Sequence, residues 1–303
     1  MEAAIVVLTK EPGEGIREVL AGINRQGQVF KRRVVMDSNS EDGTCAYAEE
    51  YGFEVLRLGE REFNHGATRA WCVSLLADVD VVVFLTQDAL LASVDSVERL
   101  LAYFADESVG AAYGRQLPYP DASPLAAHAR LFNYTARPQV KSYEDRASLG
   151  IKTPFLSDSF AAYRLSALQA VGGFPERVII GEDMYAGARL LQAGYRVAYA
   201  ADAAVYHSHD YSLGQDFRRY FDTGVFQQEQ PWIREAFGGA EGTGLQFVRS
   251  QLAYLWGLRA YGALLSAVLH NGIRLLGYRA GLLHCLLPSW LCRKLSGQAY
   301  YFR

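Results

Sequence analysis

Short apolar runs recur through the first third of the chain, and each is followed by a stretch in which apolar residues return every three or four positions. AAIVVLT (3–9), RRVVMDS (32–38), FEVLRLG (53–59) and VDVVVFLTQD (79–88) read as strands. GIREVLAGINRQ, TCAYAEEYG and ATRAWCVSLLAD, which lie between them, have helical spacing. The alternation predicts an α/β fold with a mostly parallel, Rossmann-like sheet flanked by helices. Ligands of such sheets bind outside the carboxyl ends of the strands. Thr9, Asp37 and Asp88 fall at three of those ends. The plainer alternative is that acids and hydroxyls there only form turns.

Further along, the pattern loosens. YGRQLPYPDASP (113–124) reads as an extended excursion, SPLAAHARLFNYTA as a helix, and SDSFAAYRLSALQAVGGFPE (157–176) as a strand, a short helix and a Gly-Gly turn. IIGEDMYAGARLLQAG (179–194) reads as a helix with acids in its first turn and Gly194 at its end. RVAYAADAAVYHSHD (196–210) returns as alternating strand segments. From Leu245 onward, Val248, Leu252 and Leu255 continue a helical apolar face. The expected division is therefore an α/β domain over 1–240, with a donor-binding half of about 1–115 and an acceptor or catalytic half of about 116–240. A C-terminal amphipathic helical region over 241–303 completes it.

Charge sharpens that division. The net charge is −3, yet no Asp or Glu occurs from Gly244 to Arg303, where seven basic residues stand; the rest of the chain carries 23 basic against 33 acidic residues. The longest uncharged stretches of this region, 260–273 and 280–292, are shorter than the ~20 residues that span a bilayer. The region is thus expected to lie on a membrane surface, or else to pack as an ordinary helical or oligomer interface. Cys45, Cys72, Cys285 and Cys292 show neither metal-ligand spacing nor a dense framework and read as reduced thiols. With no export leader at the N-terminus, the expected location is cytoplasmic, at the inner face of the plasma membrane. No nucleic-acid partner is expected.

Five stretches carry candidate chemistry. In DSNSEDGT (37–44), the Asp37 carboxylate either reads a uracil or thymine imide N–H or helps to turn the loop. In FNHGATRA (63–70), His65 and Arg69 share a helix face near its start, where a guanidinium suits a diphosphate or is merely solvated. In FLTQDA (84–89), Asp88 stands beside Thr86 and Gln87, and VYHSHDYS supplies His207 and His209 on one side of a strand. One carboxylate with imidazoles and phosphate oxygens makes a plausible divalent-cation site. In IIGEDM, Glu182 and Asp183 either complement a helix dipole or supply a general base, and only one of the two can meet a given hydroxyl.

Together and in this order, these segments over roughly residues 3 to 225 resemble the inverting glycosyltransferases of family 2, which have the nucleotide-diphospho-sugar transferase (GT-A) fold. FNHGATRA, FLTQDA and GYRAGLL further resemble bacterial rhamnosyltransferases that use dTDP-L-rhamnose in O-antigen, lipopolysaccharide core or similar surface polysaccharide. The resemblance implies that Thr9 and Glu11 flank the nucleotide, that Asp37 reads the base and that Arg69 lies against the nucleotide or diphosphate, with His65 and Gln87 in the same donor-binding group. It makes Asp88 the second Asp of a D-x-D motif whose first position is Thr86. It also implies Mg2+ or Mn2+ at Asp88, with His207 a metal or diphosphate ligand and His209 a second. Asp183 becomes the catalytic base, supported by Glu182. The implied partners are a sugar nucleotide and a glycan or lipid-linked acceptor. A UDP- or GDP-sugar donor, and a catalytically inactive membrane-bound scaffold, are the competing readings.

Overall fold

The computed structural model describes residues 1–59, 63–239 and 241–303. Its strands are β1 (Ala3–Thr9), β2 (Arg32–Asp37), β3 (Glu54–Arg57), β4 (Val81–Thr86), β5 (Leu90–Leu91), β6 (Val109–Leu117), β7 (Gln139–Lys141), β8 (Phe160–Arg164) and β9 (Arg196–Tyr206). They form one sheet in the order β3-β2-β1-β4-β8-β6-β9-β5, with β7 added on β9. The first four strands run parallel, as their spacing predicts; β8 enters antiparallel between β4 and β6, and β9 runs parallel to β6. β1 is buried along its whole length because helices cover both faces of the sheet.

One face is covered by α1 (Ile16–Asn24), α2 (Thr44–Glu50) and, across an intervening α3 (His65–Ser74), by α4 (Ser96–Ala102). After α5 (Pro124–Asn133) and the single turn α6 (Arg146–Leu149), the other face is covered by α3, α7 (Leu165–Ala170), α8 (Glu182–Gln192), α9 (Leu213–Glu229) and α10 (Pro231–Phe237). Two stretches differ from their sequence reading. Residues 113–117 of the expected excursion belong to the inner strand β6, whose apolar run is broken by Gly114; a Cβ there would overlap the Phe160 ring and the Ala203 carbonyl. β9 is one continuous strand, buried without a break from Val197 to Ala201, where both of its faces are covered, and alternating as expected from Asp202 to Tyr206.

The C-terminal region comprises α11 (Glu241–Gly257), α12 (Tyr261–Leu282) and α13 (Ser289–Leu295). Residue 240, where the expected domain boundary falls, lies outside the described residues. α12 packs along α9 at backbone distance. A Cβ on Gly281 would stand 2.0 Å from the Phe221 carbonyl oxygen, and one on Gly277 2.4 Å from that of Phe217. Asp216 of α9 adds polar fastening by pairing with His270 at 2.6 Å and Arg274 at 2.9 Å. Beyond α13 the chain returns to α9, where Ser296 and Gly297 donate to Asp222 at 2.5 and 3.0 Å. Overpacking such a contact costs about 1–3 kcal/mol. Gly281→Ala should therefore lower the melting temperature clearly. Gly262→Ala, in open space on the same helix, should leave it unchanged or raise it. Equal shifts in a calorimetric scan would mean that α12 does not depend on its contact with α9.

Candidate active site

The loops at the carboxyl ends of β1, β2 and β4 are sewn into one rim. The Thr9 hydroxyl donates to Asp37 Oδ1 at 2.9 Å, and the Ser40 amide donates to Asp37 Oδ2 at 2.8 Å. The Glu11 amide donates to Ser40 Oγ, the Gly13 amide to Asp42, and the Lys10 amide to Gln87 Oε1 at 2.7 Å. Thr9, Glu11, Asp37 and Gln87 are thus brought together as expected, but two of them act differently. Asp37 is fully buried with both oxygens engaged, so it shapes the loop before it can meet any base. The Gln87 amide is occupied by both backbone groups of Lys10, which pins the loop after β1. Glu11 has φ +46°, a strained conformation for a non-glycine residue, and turns its side chain to solvent.

Asp88, His207 and His209 meet where β5 pairs with the end of β9: Leu90 is opposite Tyr206, so the residues just outside both strands face each other. His207 Nε2 lies 3.4 Å from Asp88 Oδ1, and His209 Nε2 lies 3.4 Å from Asp88 Oδ2. The two Nε2 atoms are 3.0 Å apart, so a proton or a cation must separate their lone pairs. One ligand atom from each residue falls within 4.8 Å of the others. Burial disfavours the Asp88 carboxylate, but His207, then Thr86 and His209, outweigh it and hold the group well below the usual carboxylate range. An anionic oxygen beside two imidazoles fits a divalent cation and leaves its other positions to phosphate oxygens and water.

A second polar cluster is built at the start of α8. Gly181, at φ +80°, turns the chain so that Glu182 and Asp183 open the helix. Arg69 of α3 is buried, with Nε 2.7 Å from Asp158 Oδ2 and Nη1 2.8 Å from Glu182 Oε1. The sequence reading puts Arg69 against a diphosphate; here the fork is consumed by two buried carboxylates, which need its charge more than a solvated ligand does. His65, also expected to bind donor, is 3.9 Å from Glu182 Oε1 and 3.2 Å from the Gln298 amide, on the Arg69 side of the site. Burial would raise the Glu182 pKa, but Arg69 and His65 outweigh it and keep the group below its ordinary value. Asp183 is half-buried and receives the Met184 amide at 2.7 Å. Burial, then the neighbouring Glu182 and Asp158 charges, push its pKa well above the ordinary Asp value.

The sequence reading does not find Asp158, Gln116, Arg130 or Tyr119. Asp158 sits in SDS just before β8 and receives the Tyr163 hydroxyl at 2.6 Å. Its signal is an acid at a strand start, indistinguishable from a turn former. Gln116 donates to Ser157 Oγ and faces His207, while Tyr119 donates to the Asp88 carbonyl oxygen at 2.6 Å.

The family model "Glycosyl transferase family 2" matches residues 4–172, which include Asp37, Asp88 and Asp158 but end before Glu182, Asp183 and the two histidines. O-antigen chain rhamnosyltransferase RfbN of Salmonella typhimurium is 43% identical over the whole chain and 96% of its own length. O-antigen chain rhamnosyltransferase WbaN of Salmonella anatum is 45% identical over 89% of this chain and 85% of its own. Among solved structures, the mannosyltransferase PcManGT from Pyrobaculum calidifontis, in complex with GDP-Man and Mn2+, superposes with a TM-score of 0.65 at 18% identity, covering 94% of this chain and 87% of that one. S. aureus TarS 1–349, in complex with UDP-GlcNAc, gives 0.55 at 14% identity over 94% and 92%. At these identities the two superpositions establish the GT-A fold alone.

Proposed function

The chain belongs to glycosyl transferase family 2, and on that premise we propose that it is an inverting transferase moving L-rhamnose from dTDP-β-L-rhamnose to a glycan or lipid-linked acceptor of O-antigen or a related surface polysaccharide. The observation that carries the chemistry is Asp183, a half-buried carboxylate whose proton affinity is raised by burial and two neighbouring acids. The acceptor O–H gives its proton to Asp183 as the oxygen attacks the anomeric carbon. The bond from that carbon to the diphosphate oxygen breaks, the nucleoside diphosphate leaves with the electron pair, and the configuration inverts. Glu182, neutralised by Arg69, fixes the start of α8 and so aims Asp183. The rim of Thr9, Glu11, Asp37 and Gln87 borders the nucleotide. Asp88, His207 and His209 would hold a divalent cation, which when bound would supply charge neutralisation for the leaving diphosphate. The rhamnosyl choice rests on the two relatives at 43 and 45% identity, which are rhamnosyltransferases by name.

Nucleotide release from dTDP-rhamnose, UDP-glucose, UDP-N-acetylglucosamine and GDP-mannose, each with Mn2+, Mg2+ or chelator, tests donor and cation together. Release is expected from dTDP-rhamnose alone and only with metal. Two imidazoles favour Mn2+ over Mg2+, which prefers oxygen ligands, so Mn2+ should act at the lower concentration. Release from another donor in preference would move the sugar assignment. Metal-free release would remove the cation from the reaction.

The C-terminal helices are proposed to rest on an anionic membrane. No helix among the described residues is long and apolar enough to cross a bilayer. Trp256, Leu265, Leu269, Leu276, Leu286 and Trp290 are exposed, as are Arg249, Arg259, Arg279, Arg293 and Lys294; Arg274 is spent on Asp216. Each basic side chain near such a leaflet adds about 1 kcal/mol. The full chain should therefore sediment with phosphatidylserine-rich vesicles, and a Trp256→Ser, Leu265→Ser, Trp290→Ser variant should stay in the supernatant. Equal pelleting of both would overturn this placement.

A further inference from the structure

Gln116 lies in β6 next to the β9 strand end that carries His207, and it is buried. His207 Nδ1 is 2.9 Å from its Oε1. An amide can be turned end for end, so the contact alone does not say which partner carries the hydrogen. Two neighbours remove that freedom. Arg130 of α5 points Nη1 at the same Oε1, and a guanidinium has no acceptor, so the amide oxygen must face it. The Gln116 Nε2 accordingly faces Ser157 Oγ, at 2.9 Å.

We infer that Gln116, locked by Arg130 and Ser157, is a positioning residue that fixes His207 as its Nδ1–H tautomer and so presents a bare Nε2 toward Asp88 and His209. Oε1 accepts from two donors, one on each side, and His207 Nδ1 must therefore be the donor in its contact. The lone pair of Nε2 is left for a cation. The unusual partner here is an amide held by an arginine, where a carboxylate or a backbone carbonyl commonly orients a metal-ligating histidine. Neither Gln116 nor Arg130 touches the cation; each acts through His207.

The inference rests on the cation reading of Asp88, His207 and His209, and two measurements on the full chain separate the two. In the metal-free protein, long-range 1H–15N correlation spectra of the six histidines, with the His207 signals identified by their loss in His207→Gln, should show the proton on Nδ1. A proton on Nε2 would overturn the role of Gln116 whether or not metal binds. Mn2+ titration followed by electron paramagnetic resonance should show affinity lowered about 10- to 100-fold in Gln116→Met. Gln116→Glu keeps an acceptor between Arg130 and His207 and should stay within a few-fold of the parent. A folded Gln116→Met that binds Mn2+ as the parent does would overturn the inference. If Gln116→Met does not fold, the tautomer decides alone. No Mn2+ binding by the parent, with Nδ1–H observed, would sink the cation reading and leave the tautomer assignment standing.

Discussion

Asp183→Asn should abolish sugar transfer while leaving donor binding within a few-fold and raising stability above neutral pH. A positioned carboxylate base contributes ~10²- to 10⁴-fold, and kcat should fall by that amount. Asparagine keeps the shape of the side chain and can still accept the Met184 amide, which is 2.7 Å from Asp183 Oδ1. What is lost is the proton acceptor, together with the long 3.4 Å contact in which Asp183 Oδ2 accepts from the Asp158 amide. The stability effect follows from the raised pKa of Asp183, caused first by burial and then by Glu182 and Asp158. An acid that binds its proton more tightly folded than unfolded favours the fold below its unfolded pKa. That contribution is lost as pH rises through the folded value. The cost of keeping Asp183 in the fold therefore grows as pH rises, and asparagine removes it, so the gain should be larger at pH 8 than at pH 5. Paired thermal melts at the two pH values with donor calorimetry check this. Substantial transfer by the folded variant would reject Asp183 as the base, and a loss of stability at pH 8 would show that its charge is compensated by another route.

The same cluster shows what the chain pattern makes legible. Strands β1 and β4 and the acids and histidines at strand ends can be read directly, because inner strands buried on both faces write themselves as apolar runs, while β2 and the partly exposed edge strand β3 are legible from the apolar residues at their centres. Asp88, His207 and His209 are legible for that reason, although 119 positions separate Asp88 from His207. Arg69 and Asp158 are not. In the sequence Arg69 sits near the start of a helix and reads as a donor-binding or a solvated side chain, and only the folded chain turns it inward toward Asp158 and Glu182. Gln116 is hidden by its chemistry: an uncharged amide in a strand carries no signal until β9 brings His207 to it. The C-terminal region reads as amphipathic from its spacing, yet the glycines that let α12 approach α9 declare their role only against a partner backbone.

Arg69→Met should destabilise the fold by about 3–5 kcal/mol, the range for stripping one partner from a buried ionic network. Methionine fills much of the same volume, so the loss is chiefly of charge. Asp158 and Glu182 would be left in the interior with His65 as the nearest cationic candidate, at 3.9 Å from Glu182 Oε1. Even beside Arg69, burial raises the Asp158 pKa to about 6, while Glu182 is held below its ordinary value mainly because Arg69 offsets its burial. Without the guanidinium both values rise. The folded variant then binds protons that the unfolded chain releases, so its deficit against the parent should be larger at pH 8 than near pH 5. Urea unfolding at the two pH values reads this directly, and an equal deficit at both would reduce the role of Arg69 to packing. Arg69→Lys sharpens the contrast with the diphosphate role expected from the sequence: one ammonium cannot span Asp158 and Glu182 in two directions at 2.7 and 2.8 Å. That variant should lose stability and keep its donor affinity, whereas unchanged stability with weakened donor binding would return Arg69 to the diphosphate.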